Sequence, residues 1–207
     1  MSLIHPTAII EEDVRIGRGT AIWDNVHIRC GASLGEECIV GEKTYIASGV
    51  QVGNRVKINA LVYICAGVTI EDGVMISAGT LFTNDRFPRA ASTDLKRLRP
   101  SEPDENTLPT VVRSGATIGA GCTIACGIEI GRFAMVGMGS VVTKAIPEFH
   151  LVLGHPARPA GFVCRCGHVL LRFEDARLQE DGHSVCSSCG LAYALSAGAV
   201  TELSAPA

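Results

Sequence analysis

The chain has 207 residues and a formal charge of −3, enough for one main domain and a small appendage, with no basic excess to suggest nucleic-acid or membrane-surface binding. Hydrophobic residues make up 47% of it and aromatic ones only 5%, which points to a narrow core of Ile, Val and Ala. No apolar run of about 18 residues occurs and no leader precedes the first pattern, so neither a spanning helix nor export is expected.

From Ile4 onward an aliphatic residue or Phe falls on every sixth position: Ile4, Ile10, Ile16, Ile22, and so on to Ile76 and Phe82. The pattern resumes as Val112, Ile118, Ile124, Ile130, Val136 and Val142. A period of six fits neither a helix nor a simple strand, and a short fixed repeat marks a solenoid. The fourth position after each repeat residue is small or β-branched, as in Ala8, Val14, Thr20, Cys38 and Cys122. Gly often follows the repeat residue directly (Gly17, Gly35, Gly41, Gly53, Gly119, Gly131, Gly137), and is read as supplying turn conformations. Each unit is therefore a short strand and a corner. Gly17, Gly35 and Gly53 recur every third unit, so three units make a coil and the coils stack as a triangular prism of about six to seven turns. Proline is absent from Thr7 to Phe87 and from Thr110 to Ile146, as paired strands require.

Residues 84–110 interrupt the beat. They are polar, carry four prolines and hold Arg86, Arg89, Lys96, Arg97 and Arg99. A loop of this length is usually functional or disordered, and arginines suit phosphate or carboxylate. Phe82 and Val112 stay in phase, so the loop is an excursion from an unbroken prism. The organisation expected is a prism domain over 1–146 with the insertion inside it, an exit segment over 147–163, and a Cys-rich unit over 164–207. In that unit Cys164 and Cys166, each pair trailed by Gly, face Cys186 and Cys189 across the sequence. Thiolates so spaced suit a tetrahedral structural Zn²⁺, although the first gap has one residue where two are usual, and His168 or His183 could stand in for a ligand. Cysteines read as metal ligands and core fillers (Cys38, Cys122) fit a cytoplasmic chain.

Three stretches add a resemblance: Trp23-Asp24-Asn25-Val26-His27-Ile28, Phe82-Thr83-Asn84-Asp85-Arg86-Phe87-Pro88-Arg89, and Gly154-His155-Pro156-Ala157-Arg158. With the repeat, they resemble the hexapeptide-repeat acyltransferases, and among them the N-acetyltransferases of nucleotide-linked 3-amino sugars of bacterial polysaccharides. The resemblance implies an all-β, left-handed parallel β-helix, a homotrimer, acetyl-CoA as co-substrate, and a UDP- or dTDP-linked amino sugar as acceptor. The hand comes from the resemblance alone.

Acetyl transfer from a thioester needs a neutral nucleophile and a site for the oxyanion. A hydroxyl also needs a base, most often His, whereas a sugar amine with a pKa of roughly 8 is partly neutral already. O-acetylating relatives place a His near the insertion, and this insertion has none. Asn84 and Asp85 are therefore expected to orient the amine, with an Asx turn as their structural alternative and His27 as the alternative base. Trp23, Arg86, Arg89 and Arg113 are candidates for the nucleotide sugar. The resemblance implies that backbone groups of the stretch Ala134, Gly137, Gly139 and Ser140 hold the cofactor arm, with Lys144 and Arg158 at its phosphates. O-acetylation and a non-catalytic scaffold remain alternatives. A γ-carbonic-anhydrase-like metal site would need three corner histidines, and only His5 and His27 lie among the coils.

Overall fold

The computed structural model describes residues 2–173, 182–196 and 198–203. Short strands run in sequence from β1 (Leu3–Ile4) to β20 (Val141–Val142), most of them two residues long. They form three sheets, in which every third strand is a neighbour. Ile4 pairs with Ile22 and Ile22 with Val40, a parallel register of eighteen residues per turn. The expected three-sided prism is present, and no helix among the described residues is long and apolar enough to cross a membrane.

The six-residue beat has a direct physical cause. The repeat residues point inward: Ile22, Ile28, Val40, Ile46 and Ile58 are wholly buried, and the small position joins them at Val26, Ala32 and Val50. Polar residues in the small slot are tolerated because they bridge coils. The Thr20 hydroxyl donates to the Gly35 carbonyl at 2.8 Å and the Thr44 hydroxyl to that of Asn59 at 3.0 Å. Cys38 and Cys122 do the same with their thiols, toward Gly53 at 3.1 Å and Gly137 at 3.2 Å. They are core fillers, as expected.

The corner glycines have a different reason from the one the sequence suggests. Positive φ recurs every six residues, but at the third position after the repeat residue: Asp13, Gly19, Asn25, Gly31, Glu37, Lys43 and onward to Gly139. The glycines directly after the repeat residue are absent from that set. A Cβ on Gly41 would lie 2.6 Å from the Ala60 nitrogen, and one on Gly35 2.5 Å from the Gly53 carbonyl oxygen. These glycines let neighbouring coils approach. Where a bulky residue turns the corner, strain remains: Leu61 sits at φ 60° and is 60% exposed. Leu61→Gly is expected to raise stability by about 1 kcal/mol, read from urea unfolding, because the left-handed penalty is removed and little packing is lost.

The insertion leaves after β14 (Leu81–Phe82) and returns at β15 (Thr110–Val112). β15 stacks on β12 (Val68–Ile70) with Ile70 opposite Val112, so the prism is continuous beneath the loop. The loop is an arm with antiparallel bridges at Asp85–Thr107 and Ala91–Leu98. One corner of the prism, between the sheets of β15 and β13 (Met75–Ile76), carries an ionic ladder that includes Arg18–Glu36, Arg55–Asp72 and Arg113–Glu71.

The chain does not leave the prism at Pro147. β21 (His150–Gly154) adds one more parallel rung on β19 (Met135–Val136). β22 (Ala157–Val163) folds back antiparallel on β21, and β23 (Val169–Arg172) on β22. β24 (Gly182–Val185), β25 (Ala192–Ser196) and β26 (Ala199–Glu202) form a separate antiparallel sheet. A second small core, Phe149, Phe162, Cys164, Cys186, Tyr193 and Val200, joins this tail to the last coil.

Candidate functional site

The arm is rooted at the same corner of the prism as Lys144. β14 stacks on β17 (Thr123–Ile124) and β17 on β20, with Phe82, Ile124 and Val142 in register. Beyond these residues the ladder continues from Thr83 to Ile124 and from Ala125 to Val142. In that register Asn84, Cys126 and Lys144 follow one another up one corner. Two rungs separate Asn84 from Lys144, about 10 Å.

Three cavities meet there. One of about 440 Å³ lies under the root of the arm and is lined by Thr83, Asp85, Arg86, Leu108, Cys126 and Thr143. A second, of about 490 Å³, lies within the arm, between Asp85, Arg89 and Arg99. The third, of about 320 Å³, is lined by Thr143, Lys144, Ile146, Ala157, Arg158 and Pro159. Asp85 is common to the first two and Thr143 to the first and third. Lys144 and Arg158, far apart in sequence, are thus on one wall, and neither has a carboxylate partner among the described residues.

Asp85 also makes the Asx turn foreseen as its structural alternative: Oδ1 accepts from the Phe87 N–H at 2.7 Å. The same residue lines both cavities at the arm's root. Asn84 holds the arm through its backbone carbonyl, which accepts from the Leu108 N–H at 2.9 Å, and its side chain lines none of the three cavities. Arg86 lies over the Phe87 ring, and Arg89 donates to the Pro88 carbonyl. Arg99 bonds the Phe87 carbonyl and pairs with Asp104 at 3.4 Å.

Other expected residues are placed elsewhere. His27 sits on β5 (His27–Ile28), three rungs or about 14 Å from β14 along the same sheet. Its Nε2 is 2.7 Å from Glu11, a carboxylate shared with Arg29 at 2.6 Å, and its ring packs edge-on against Tyr45. Trp23, 46% exposed, walls a separate cleft of about 500 Å³ over Gly41 and Asn59. Arg113 is clamped by two carboxylates, Glu71 at 2.7 Å and Glu129 at 2.6 Å. Burial pushes the Glu71 carboxyl up, but the guanidinium and the Ser114 N–H and hydroxyl outweigh it and hold it low. Arg113 is a rung of the ionic ladder, and each of its two terminal nitrogens is engaged by a carboxylate.

Ala134 and Ser140 are buried in the prism, and the Ser140 hydroxyl accepts from the Gly154 N–H at 3.1 Å. Their side chains face the core, so the expected contact with a cofactor would fall to backbone groups of this stretch. Gly137 is covered by the Leu153 side chain, whereas Gly139 faces open space with a φ of 68°.

The four tail cysteines do converge, with all four Sγ atoms within 4.8 Å of one another. Cys164–Cys189 and Cys166–Cys186 are 3.4 and 3.5 Å apart. A tetrahedral ion with Zn–S bonds of about 2.3 Å needs sulfur separations of about 3.8 Å, so the set fits. The short first gap is accommodated by a tighter knuckle. The Cys186 carbonyl accepts from Gly190 and its N–H donates to Leu191; the Cys164 carbonyl accepts from Gly167 and its N–H donates to His168, each one residue sooner. Gly167 and Gly190 both take positive φ, at 90° and 75°. His168 stays at the rim, with Nδ1 3.5 Å from the Cys166 thiol, and His183 lies in β24.

Models of the bacterial transferase hexapeptide (six repeats) match residues 13–48 and 49–84, and those of the hexapeptide repeat of succinyl-transferase match 31–66 and 109–144. The chain belongs to the hexapeptide-repeat family. Over 94 residues this hexapeptide-repeat protein is 44% identical to a dTDP-3-amino-3,6-dideoxy-alpha-D-galactopyranose 3-N-acetyltransferase of Aneurinibacillus thermoaerophilus, covering 45% of each chain. It is 48% identical over 48 residues to a serine acetyltransferase of Buchnera aphidicola, covering 23% of this chain and 18% of that one. The matches thus span less than half the length of these relatives. Among solved structures, perosamine N-acetyltransferase of Caulobacter crescentus in complex with CoA and GDP-perosamine aligns with 77% of this chain and 56% of its own, at 21% identity and a TM-score of 0.43. AntD, an N-acyltransferase of Bacillus cereus in complex with dTDP and 3-hydroxybutyryl-CoA, aligns over 80% and 84%, at 21% identity and a TM-score of 0.42.

Cys126 and Thr143 are among the residues lining the hexapeptide-repeat protein's cavities that escaped the sequence reading. The signal was available. Counting back eighteen from Lys144 gives Cys126, and the in-phase interruption carries that column on to Asn84.

Proposed function

We propose that the protein transfers the acetyl group of acetyl-CoA to the amino group, at C3, of a dTDP- or UDP-linked amino sugar. The observation that carries this reading is the shared wall at Thr143, which joins the Asp85 cavity to the cavity of the two unpaired cations, Lys144 and Arg158. A cofactor with its phosphates at Lys144 and Arg158 can reach the Asp85 cavity along this corner. The relative that is a dTDP-3-amino-sugar N-acetyltransferase supports an amine acceptor. No histidine lines either cavity among the described residues, which suits an amine better than a hydroxyl.

In this reading the neutral amine attacks the thioester carbonyl. A tetrahedral oxyanion forms, then collapses and expels the CoA thiolate. The proton lost by the nitrogen passes to Asp85 and from there to solvent or the thiolate. Arg86 and Arg89 border the acceptor side and are placed to meet the nucleotide's diphosphate. A homotrimer, with the cavities completed by a neighbouring copy, belongs to the same reading, as does the cytoplasm, where acetyl-CoA is made available. The four thiolates would hold a Zn²⁺ of purely structural role, because a four-Cys shell leaves no open position.

The test is release of free CoA thiol from acetyl-CoA across a panel of dTDP- and UDP-linked 3-amino, 4-amino and 3-hydroxy sugars. Turnover with the 3-amino members alone is the expected result, and turnover with the 3-hydroxy member alone would establish O-acetylation instead. In the same assay Lys144→Ala and Arg158→Ala should each raise KM for acetyl-CoA about ten-fold, the loss of one charge-assisted contact to phosphate, with KM for the sugar unchanged.

A further inference from the structure

The tail is too small to fold on apolar burial alone, and its packing shows what replaces the missing core. Of the six buried residues that join it to the prism, Cys164 and Cys186 are themselves members of the thiol cluster. The cluster draws together two stretches that the sheet hydrogen bonds leave separate. Cys164 and Cys166 follow β22, which belongs to the prism's ten-stranded sheet, whereas Cys186 and Cys189 lie between β24 and β25 in the outer sheet. Among the described residues no strand pairing links those two sheets.

Several further contacts among the described residues lie near the thiols. Tyr193 is fully buried, with its hydroxyl 3.1 Å from the Cys164 sulfur and accepting from the Arg165 N–H at 3.1 Å. Its ring packs on Phe149, and Phe149 stacks on Phe133 of the last coil. Arg165 lies 4.4 Å over the Phe133 ring, and Glu202 of β26 pairs with both Arg132 and Arg165 at 3.0 and 3.3 Å. The outer sheet thereby covers Phe149 at one end of the prism. At the other end Leu3, Ile4 and Ile9 are 45–57% exposed. Stacked repeats require such terminal covers, since the last coil has no neighbour to bury its face.

We propose that one Zn²⁺, held by Cys164, Cys166, Cys186 and Cys189, is what attaches this cap: the metal folds β24–β26 onto the last coil, and the prism beneath folds without it. A metal bound only by the folded arrangement contributes its binding free energy to folding, and a unit of this size depends on such a contribution. A soft four-thiolate shell selects zinc over the hard divalent cations. The cap holds its place independently of the acetyl-transfer reading, and its test does not use activity.

The full chain is purified from zinc-supplemented culture with its thiols reduced, and metals are counted by elemental analysis. One zinc per chain is expected, falling to none in the Cys186→Ser/Cys189→Ser double variant and staying at one in Cys30→Ser, whose exposed thiol lies outside the cluster. Stripping the wild-type protein with a strong chelator should speed tryptic cleavage at Arg165 and Arg172 about ten-fold or more, while the β-sheet circular dichroism of the prism persists. Chelation of the wild type carries the test if the double variant fails to fold. Absence of zinc from the reduced protein, iron in its place, or unchanged cleavage after zinc removal would each overturn the proposal. Collapse of the whole β-sheet signal on stripping would overturn the separation of cap from prism.

Discussion

Asp85→Asn should lower kcat about a hundred-fold in the thiol-release assay while leaving both KM values within a factor of about three. General acid–base assistance is commonly worth 10²–10⁴ in rate, and an amine nucleophile sits at the low end because much of it is already neutral. The substitution is chosen for what it preserves. Asparagine keeps an Oδ1 that can accept from the Phe87 N–H, so the turn that starts the arm survives. What is lost is the negative charge shared by the two cavities at the arm's root. Asp85→Ala, which removes the turn as well, should also raise KM for the sugar. If Asp85→Asn retained wild-type kcat, Asp85 would be a turn residue alone and the amine would find its proton acceptor elsewhere.

The fold was legible because the signal repeats. A beat of six is written into the aliphatic positions and a period of eighteen into Gly17, Gly35 and Gly53, and stacking leaves one inward direction, so Ile22, Ile28, Val40 and their successors could be placed before any contact was known. The site was legible only in part. Lys144 and Arg158 were expected at the cofactor phosphates from the resemblance, and the prism's exit brings them to one cavity. Arg113 was expected at the nucleotide sugar but lies between Glu71 and Glu129, one forty-two residues before it and one sixteen after. A partner in the next coil is invisible until the register is applied. Ala134 and Ser140 show a second limit: their smallness suited a ligand channel, yet in this repeat the fourth position is also small because its side chain faces the core. The thiol cluster was legible from its two Cys pairs, and the missing residue in the first gap was absorbed by shortening each of its hydrogen-bonded turns by one.

The glycines that follow the repeat residues give the largest expected stability effect. Gly35→Ala should destabilise the prism by about 3 kcal/mol in urea unfolding, at the upper end of the cost of overpacking. The new methyl would meet the Gly53 carbonyl and the Asn54 side-chain oxygen, and the first of these is backbone. It cannot rotate away, because Gly35 and Gly53 are each held by the ladder, Gly35 N–H to the Val52 carbonyl at 2.9 Å and Gly53 N–H to that of Ile70 at 2.7 Å. Relief would require parting two coils that also share the Glu36 N–H to Asn54 bond at 2.9 Å. Gly49→Ala is the informative comparison. That glycine has a φ of 70° and nothing within 4 Å of its missing Cβ, so only the left-handed conformation resists the change, at about 1 kcal/mol. Equal costs at the two positions would show that the coils yield to the methyl, and that their spacing does not set the need for glycine at Gly35. A larger cost at Gly35 means that the distance between coils is fixed by the absence of a side chain, and that the rigid corner carrying Asp85, Thr143 and Lys144 depends on it.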